Sequence, residues 1–143
     1  MAVVEKSVLI ERTATQMFDL VDGVEDYASF LPWCGGTELL ERTGNKTVAR
    51  IHINYHGLKA HFATENAKEA PRWMNIEFRE GPFRRMDGGW RFTPLGDTAC
   101  KVEFRLHYEF SSKMLEKVLG PVFHHIANTF VESFVKRAQQ IYG

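Results

Sequence analysis

The stretch from Thr98 to Phe110 alternates without a break. Cys100, Val102, Phe104, Leu106, Tyr108 and Phe110 share one side, and Lys101, Glu103, Arg105, His107 and Glu109 share the other. Successive side chains on a strand point to opposite faces, so this segment demands a sheet with one dry face and one wet face. The cover for the dry face follows at once. After Ser111-Ser112, which offers an N-cap, Met114, Val118, Val122, Ile126, Phe130, Phe134 and Ala138 recur every four residues. Leu115, Leu119, Phe123, Ala127, Val131 and Val135 widen that stripe, which is helical spacing. A helix over 112–142 would run about 45 Å, and a stripe this broad is expected to be buried along most of it. Gly120-Pro121 is expected to kink or split the helix, because proline lacks a backbone donor and clashes with the preceding turn.

Upstream, residues 3–12 read as a strand with Val4, Val8 and Ile10 on one face, although Lys6 spoils the alternation. Thr13 or Thr15 caps a short helix carrying Met17, Phe18 and Val21, which Gly23 breaks. A second short helix and a loop follow in "DGVEDYASFLPWCGG", ended by Pro32 and Gly35-Gly36. Strands are expected near 37–43, 46–56, 58–67, 72–79, 85–93 and 98–110, separated by the turn signals "TGNK", "HGL", "KEAPR", "EGPF" and "PLGDT". Spacings this short make hairpins, hence an antiparallel meander. The order predicts an α+β helix-grip fold: a curved, antiparallel seven-stranded sheet wrapped around a long C-terminal helix, with two short helices after the first strand. Residues 1–143 are read as one domain, as the length suits.

Eighteen basic residues balance eighteen acidic ones, with a pI of about 7.0. A protein held mainly by phosphate neutralisation shows a basic excess, so DNA is not an expected partner. The longest apolar region, 114–135, is interrupted by Glu116, Lys117, His124, His125, Asn128 and Glu132 and cannot span a bilayer. No secretory leader pattern opens the chain. Cys34 and Cys100 match no CxxC spacing and are read as reduced thiols of a cytoplasmic protein.

Six histidines invite a metal reading, but there is no HExxH and no cysteine at ligand spacing. His124 and His125 diverge by about 100° on a helix and cannot ligate one ion together. No GxSxG, phosphate-binding loop or dinucleotide fingerprint occurs. His52, His56, Glu65 and Asp87 are of the right type for a general base, yet such residues on strands usually belong to solvated faces. Neither a metal site nor catalytic residues nor a cofactor is expected, and the chain is read as a non-enzyme.

Aromatic residues are 13% of the chain, with eleven Phe. In "GPFRRMDGGWRFTPL", Trp90 and Phe92 share one face with Arg91 opposite. These rings are either plain core or the wall of a cavity, and Gly88-Gly89 either forms a bulge or lets the helix backbone approach closely. "YASFLPWCGG" puts Tyr27, Phe30, Leu31, Pro32 and Trp33 in a loop, where they either plug the core or gate a cavity. Arg79, Arg84, Arg85 and Arg91 gather nearby as a solvated face, or as a contact for phosphates of a membrane surface or RNA.

"FLPWC", then "EGPFRRMDGGWRFTPLGDTACKVEFRLHYEF" ahead of a long apolar helix, closely resembles the coenzyme Q-binding protein family. These are START-like helix-grip domains of the polyketide cyclase and lipid-transfer superfamily, and the bacterial branch is also known as the ribosome association toxin family. The likeness runs from the first strand to Gln140, and the absence of a mitochondrial presequence fits the bacterial branch. The resemblance implies a polyprenyl quinone, ubiquinone foremost, held between sheet and helix as cargo for respiration and not as a catalytic cofactor, with peripheral contact at the inner face of the membrane. It also implies, as the alternative, binding to the large ribosomal subunit that blocks its union with the small one and so inhibits translation initiation. Neutral charge and a ring-rich concave face favour the quinone. On that reading Phe62, Phe78, Trp90, Phe92, Phe104, Leu106, Tyr108, Ile126 and Phe130 wall the cavity, and Tyr27, Leu31 and Trp33 stand at its mouth. Arg84 and Arg85 are the candidate surface contact.

Overall fold

The computed structural model describes residues 2–143; Met1, the first residue of the expected domain, lies outside them. Its elements are β1 (Ala2–Ile10), α1 (Ala14–Asp22), a 3-10 helix (Val24–Ser29), β2 (Cys34–Arg42), β3 (Lys46–Tyr55), β4 (Leu58–Glu69), β5 (Trp73–Glu80), β6 (Phe83–Leu95), β7 (Ala99–Phe110) and α2 (Lys113–Tyr142). The strands form a single seven-stranded antiparallel sheet in the order β1-β7-β6-β5-β4-β3-β2. Five consecutive hairpins build the meander, and β1 then closes against the last strand, with Val4 opposite Leu106 and Val8 opposite Val102. This is the predicted helix-grip architecture.

Local chemistry explains the boundaries. Thr13 caps α1 in a reciprocal capping box: its hydroxyl accepts from the Gln16 amide at 3.1 Å, while the Gln16 side chain accepts from the Thr13 amide at 2.9 Å. Ser112 caps α2 through the Leu115 amide at 3.1 Å. His56 and Gly57 both take positive φ, 50° and 82°, which makes the β3–β4 turn a two-residue hairpin loop of the twist-compatible kind.

Every dry-face residue of β7 named above is buried against the core. The second short helix is a 3-10 turn, and β2 begins at Cys34, so Gly35-Gly36 opens a strand where a helix end was expected. Gly36 takes φ 148° at an irregularity in the β2–β3 ladder.

Two expectations about α2 do not hold as stated: the helix is not split at Pro121, and its apolar stripe is not covered throughout. The helix runs unbroken through Pro121. Pro121 lies on the exposed face, where water can take up the Lys117 carbonyl that loses its donor. The apolar stripe is also not covered throughout: Met114 is 76% and Val118 52% exposed, and full burial starts only at Phe123. In these first turns Leu115 and Leu119 pack half-buried against the core, while the Met114–Val118 row faces outward.

Candidate functional site: a cavity between sheet and helix

The concave face of the sheet and the underside of α2 enclose a cavity of about 60 Å³. Its floor comes from alternate residues of successive strands: Ala49 and Ile51 of β3, Phe62, Thr64 and Asn66 of β4, Ile76 of β5, Met86 and Trp90 of β6, and Phe104 and Leu106 of β7. The roof is one face of α2, with Phe123, Ile126, Ala127 and Phe130, and one end is closed by Val21, Val24, Tyr27 and Trp33. The volume holds about two waters at roughly 30 Å³ each, against the roughly 300–1,000 Å³ of pockets that hold small ligands. The rings close it by edge and tilted contacts, Trp90 lying 4.6 Å from Phe104 and 5.7 Å from Phe130 between centroids.

Of the expected wall residues, Phe62, Trp90, Phe104, Leu106, Ile126 and Phe130 line this space. Phe78, Phe92 and Tyr108 do not. Phe92 packs instead against Phe18 of α1 at 5.5 Å. Tyr108 sits against Phe123 at 4.8 Å with its hydroxyl 3.3 Å from His124 Nδ1, and Phe78 is half-buried against Phe83 at 5.8 Å. Parity put all three on the concave face, but a sheet this long serves more than one stretch of core. Thr64 and Asn66 were missed because polar residues on a strand read as solvent-facing; only their shared parity with Phe62 signals the contrary.

The three residues expected at a mouth are inside: Tyr27, Leu31 and Trp33 are 4%, 1% and 3% exposed. Their loop is tied down by its backbone, Leu31 N–H donating to Tyr27 O and Asn54 N–H donating to Trp33 O at 2.8 Å. The Tyr27 hydroxyl donates to the Val21 carbonyl, and burial pushes its pKa far above the ordinary phenol value. Tyr27 and Trp33 line the cavity, and Leu31 packs behind them.

Two polar atoms at the cavity stand out. The Trp33 indole N–H and the Asn66 carbonyl oxygen are buried and find no hydrogen-bond partner among the described residues. An unpaired buried polar group costs about 1–3 kcal/mol, so neither is there for stability.

The remaining candidates lie elsewhere. His52 faces outward beside Glu38 at 2.7 Å, Glu65 pairs with Arg79 at 2.6 Å, and His56 and Asp87 are exposed on a turn and an outer strand face. None of these four lines the cavity. Arg84 pairs with Glu109 at 3.0 Å, whereas Arg85 makes no ion pair among the described residues. A larger open groove of about 650 Å³ crosses the outer face over Gly89, between Glu5, Asp87, Arg91, Glu103 and Arg105. Its mixed charges and openness suit water better than an apolar ligand. Gly88 and Gly89 serve neither expected purpose. The bulge in β6 is at Phe83–Arg85, and the glycines admit neighbouring strands, not the helix: a Cβ on Gly88 would fall 2.0 Å from the Arg105 carbonyl oxygen, and one on Gly89 2.7 Å from that of Met74. Among the described residues no helix is long and apolar enough to cross a membrane.

Residues 10–135 match the family described as "Polyketide cyclase / dehydrase and lipid transport". The chain is 41% identical over 140 residues to the ribosome association toxin RatA of Vibrio cholerae, covering 98% of this chain and 97% of that protein. It is 26% identical over 133 residues to the mitochondrial coenzyme Q-binding protein COQ10 homolog B of Xenopus laevis, covering 90% of this chain and 54% of that one. Among solved structures, an 18 kDa protein of Caulobacter crescentus superposes with a TM-score of 0.74 at 31% identity, covering 100% of this chain and 99% of the other. With its helix-grip fold and its cavity in place, the chain belongs to the polyketide cyclase / dehydrase and lipid transport family, on the branch of the ribosome association toxins and their coenzyme Q-binding relatives.

Proposed function

We propose that the protein binds a polyprenyl quinone, ubiquinone foremost, between the sheet and α2 and carries it without chemistry. The observation that carries this reading is the cavity itself: an enclosed, ring-lined space under α2, in a chain whose relatives include a protein named for coenzyme Q binding. The absence of the four candidate bases from its walls favours carriage over catalysis.

At about 60 Å³ the cavity is too small for a quinone head group, so loading requires it to grow. The roof is a single helix whose first turns are only half-buried on their inner side, and α2 lifting from Phe123 to Phe130 opens the space to outside. Met114 and Val118 are exposed there, each directly after a lysine, Lys113 and Lys117, a combination that suits shallow contact with an anionic bilayer at the cytoplasmic face. Organic extraction of the purified protein followed by mass spectrometry tests the reading, with expected substoichiometric ubiquinone. No isoprenoid quinone after repeated extraction, together with no saturable uptake from liposomes, would sink it.

A second reading, binding to the large ribosomal subunit, is favoured by the 41% identity to a protein called a ribosome association toxin across nearly all of both chains. It would use the outer surface rather than the cavity. Co-sedimentation with isolated large subunits is its test.

A further inference from the structure

Resting on the carrier reading, we infer that the cavity discriminates the oxidation state of its ligand and prefers the quinol to the quinone. The argument starts from the two unpaired atoms. The Trp33 ring is almost wholly buried, lines the cavity and leaves its N–H without an acceptor. An indole N–H can only donate. Asn66 lines the same cavity and leaves its amide oxygen without a donor.

The orientation of the Asn66 amide follows from its other contact. Its Nδ2 lies 3.9 Å from the Met74 sulfur. A thioether accepts weakly and never donates, so the NH2 end belongs toward Met74 and the oxygen belongs on the other side. Neither atom is exposed to the cavity as it stands; in the enlarged space that a ligand requires, Trp33 supplies a donor and Asn66 an acceptor to otherwise apolar walls. The buried Thr64 hydroxyl, also in the wall, can serve as either and therefore does not discriminate.

A quinone ring brings carbonyl and methoxy oxygens, all acceptors. It can satisfy the Trp33 N–H but sets oxygen against oxygen at Asn66. A quinol keeps the same ring and gains two hydroxyl donors. One can donate to Asn66 Oδ1 while an oxygen of the ring accepts from Trp33. The apolar contacts are nearly the same for both forms, so the difference falls on Asn66. Sites built to hydrogen-bond a hydroxyl reject the analogue lacking it because their own polar group is left bare. An acceptor left bare in a dry site corresponds to roughly tenfold or more in affinity. For a two-electron couple, a tenfold preference for the reduced form raises the bound midpoint potential by about 30 mV.

The test uses the intact chain and a ubiquinone analogue with a ten-carbon tail, titrated anaerobically as quinone and as its chemically reduced quinol, with heat of binding as the readout. The quinol is expected to bind roughly tenfold tighter. In Asn66→Leu, or Asn66→Ala should the larger residue prevent folding, the two forms become equal in affinity. Trp33→Phe, which removes the donor both forms use, weakens both by a similar factor and leaves their ratio intact. The ratio is read within one protein, so partial loss of fold moves both numbers together. Equal affinities in the unmodified chain, or a preference that survives loss of Asn66, overturn the inference and leave the carrier reading standing. Failure of both forms to bind overturns the carrier reading and the inference with it.

Discussion

The Lys68 ammonium lies 2.8 Å from a carboxylate oxygen of Asp22, joining the end of α1 to β4 beneath the 3-10 helix. Both side chains are largely removed from water, and the other Asp22 oxygen accepts from the Thr47 hydroxyl at 2.9 Å. The bond fixes the segment that supplies Val21, Val24 and Tyr27 to the cavity's end wall.

Breaking that pair takes the nearest cation from the Asp22 carboxylate and leaves it only Arg42 Nε at 3.9 Å. Removing one partner of a fully buried pair costs about 3–5 kcal/mol. Asp22 keeps some solvent contact and its Thr47 bond, so Lys68→Ala is expected to lose about 2–3 kcal/mol in urea denaturation. Replacing both as Lys68→Met with Asp22→Leu is expected to recover much of this, since no lone charge remains. A double variant as weak as the sum of both singles would show that the two side chains are not coupled and that no stranded charge explains the single losses.

Beside it, Arg42 grips Glu25 of the 3-10 helix through both carboxylate oxygens, at 2.6 and 2.8 Å, and also donates to the Asp22 carbonyl. The hydrogen bonds from Arg42, and then its charge, hold the Glu25 carboxyl at about 2 against an ordinary 4.5. A pKa depressed by folding contributes stability that is complete above the unfolded value and is lost as pH falls through the folded one. The contribution of Glu25 is therefore expected to fade between pH 4.5 and 2. The gap in denaturation midpoint between the unmodified chain and Glu25→Gln should be present at neutral pH and vanish toward pH 2. A gap unchanged over that range would mean that the pair is screened to nothing by its exposure.

Gly88 admits no side chain. The nearest obstacles to a Cβ are the Arg105 oxygen at 2.0 Å and the Leu106 Cα at 2.9 Å, all backbone of β7, which is paired on both sides by β1 and β6. Backbone in mid-sheet cannot turn aside as a flexible side chain would. Gly88→Ala is expected to cost at least about 3 kcal/mol, the upper end for overpacking, or to leave no folded protein. Gly44, with open space around it, is the comparison site: Gly44→Ala should move the thermal midpoint little. Equal small shifts would show that β6 and β7 can part locally.

Much of this architecture is legible before any coordinates. The strict alternation of β7 and the four-residue recurrence of α2 each admit one reading, and together they dictate a sheet with a helix across it. Of the six foreseen cavity-lining residues, Phe62, Trp90, Phe104 and Leu106 follow from strand parity and Ile126 and Phe130 from the four-residue recurrence of α2. Parity cannot say how far along a strand the cavity extends, so Phe92 and Phe78 were placed in it by their face when they pack at its ends. Nor can it show that Pro121 falls on the wet side of α2, or that Trp33 turns inward from a loop with no period at all. Those depend on distances between segments far apart in the chain.

For the ribosomal reading, the distinction between Arg84 and Arg85 becomes useful. Arg84 already neutralises Glu109 at 3.0 Å. Arg85 is exposed with no such partner among the described residues, and an unpaired guanidinium is the one that releases a counterion on meeting a phosphate. Arg85→Ala is expected to lower co-sedimentation with large subunits and to reduce the dependence of log affinity on log salt by about one. Arg84→Ala should change the salt slope less, because its guanidinium is already held by Glu109 and has less counterion to release. An unchanged salt slope in Arg85→Ala removes this patch from consideration.

Trp33 decides how the cavity is reached. A ring at a movable mouth would contact ligand or solvent, and Trp33→Ala would then cost about 1 kcal/mol, the usual effect of a point change. In the structure the ring is 3% exposed, lies 6.1 Å from Phe130 between centroids, and is anchored by its own carbonyl to Asn54. Truncating a buried aromatic costs about 3–5 kcal/mol; because the indole N–H is unpaired, its loss offsets a little of this. Trp33→Ala is therefore expected near 3 kcal/mol, not far below Phe104→Ala, whose ring is equally buried between Trp90 and Phe130. If Trp33 belongs to the fixed wall, the opening for a ligand lies on the α2 side, and Trp33→Phe should still load quinone from liposomes at an undiminished rate while holding it less tightly. A loss near 1 kcal/mol for Trp33→Ala beside a large one for Phe104→Ala, with slowed loading in Trp33→Phe, would return "FLPWC" to the role of a gate.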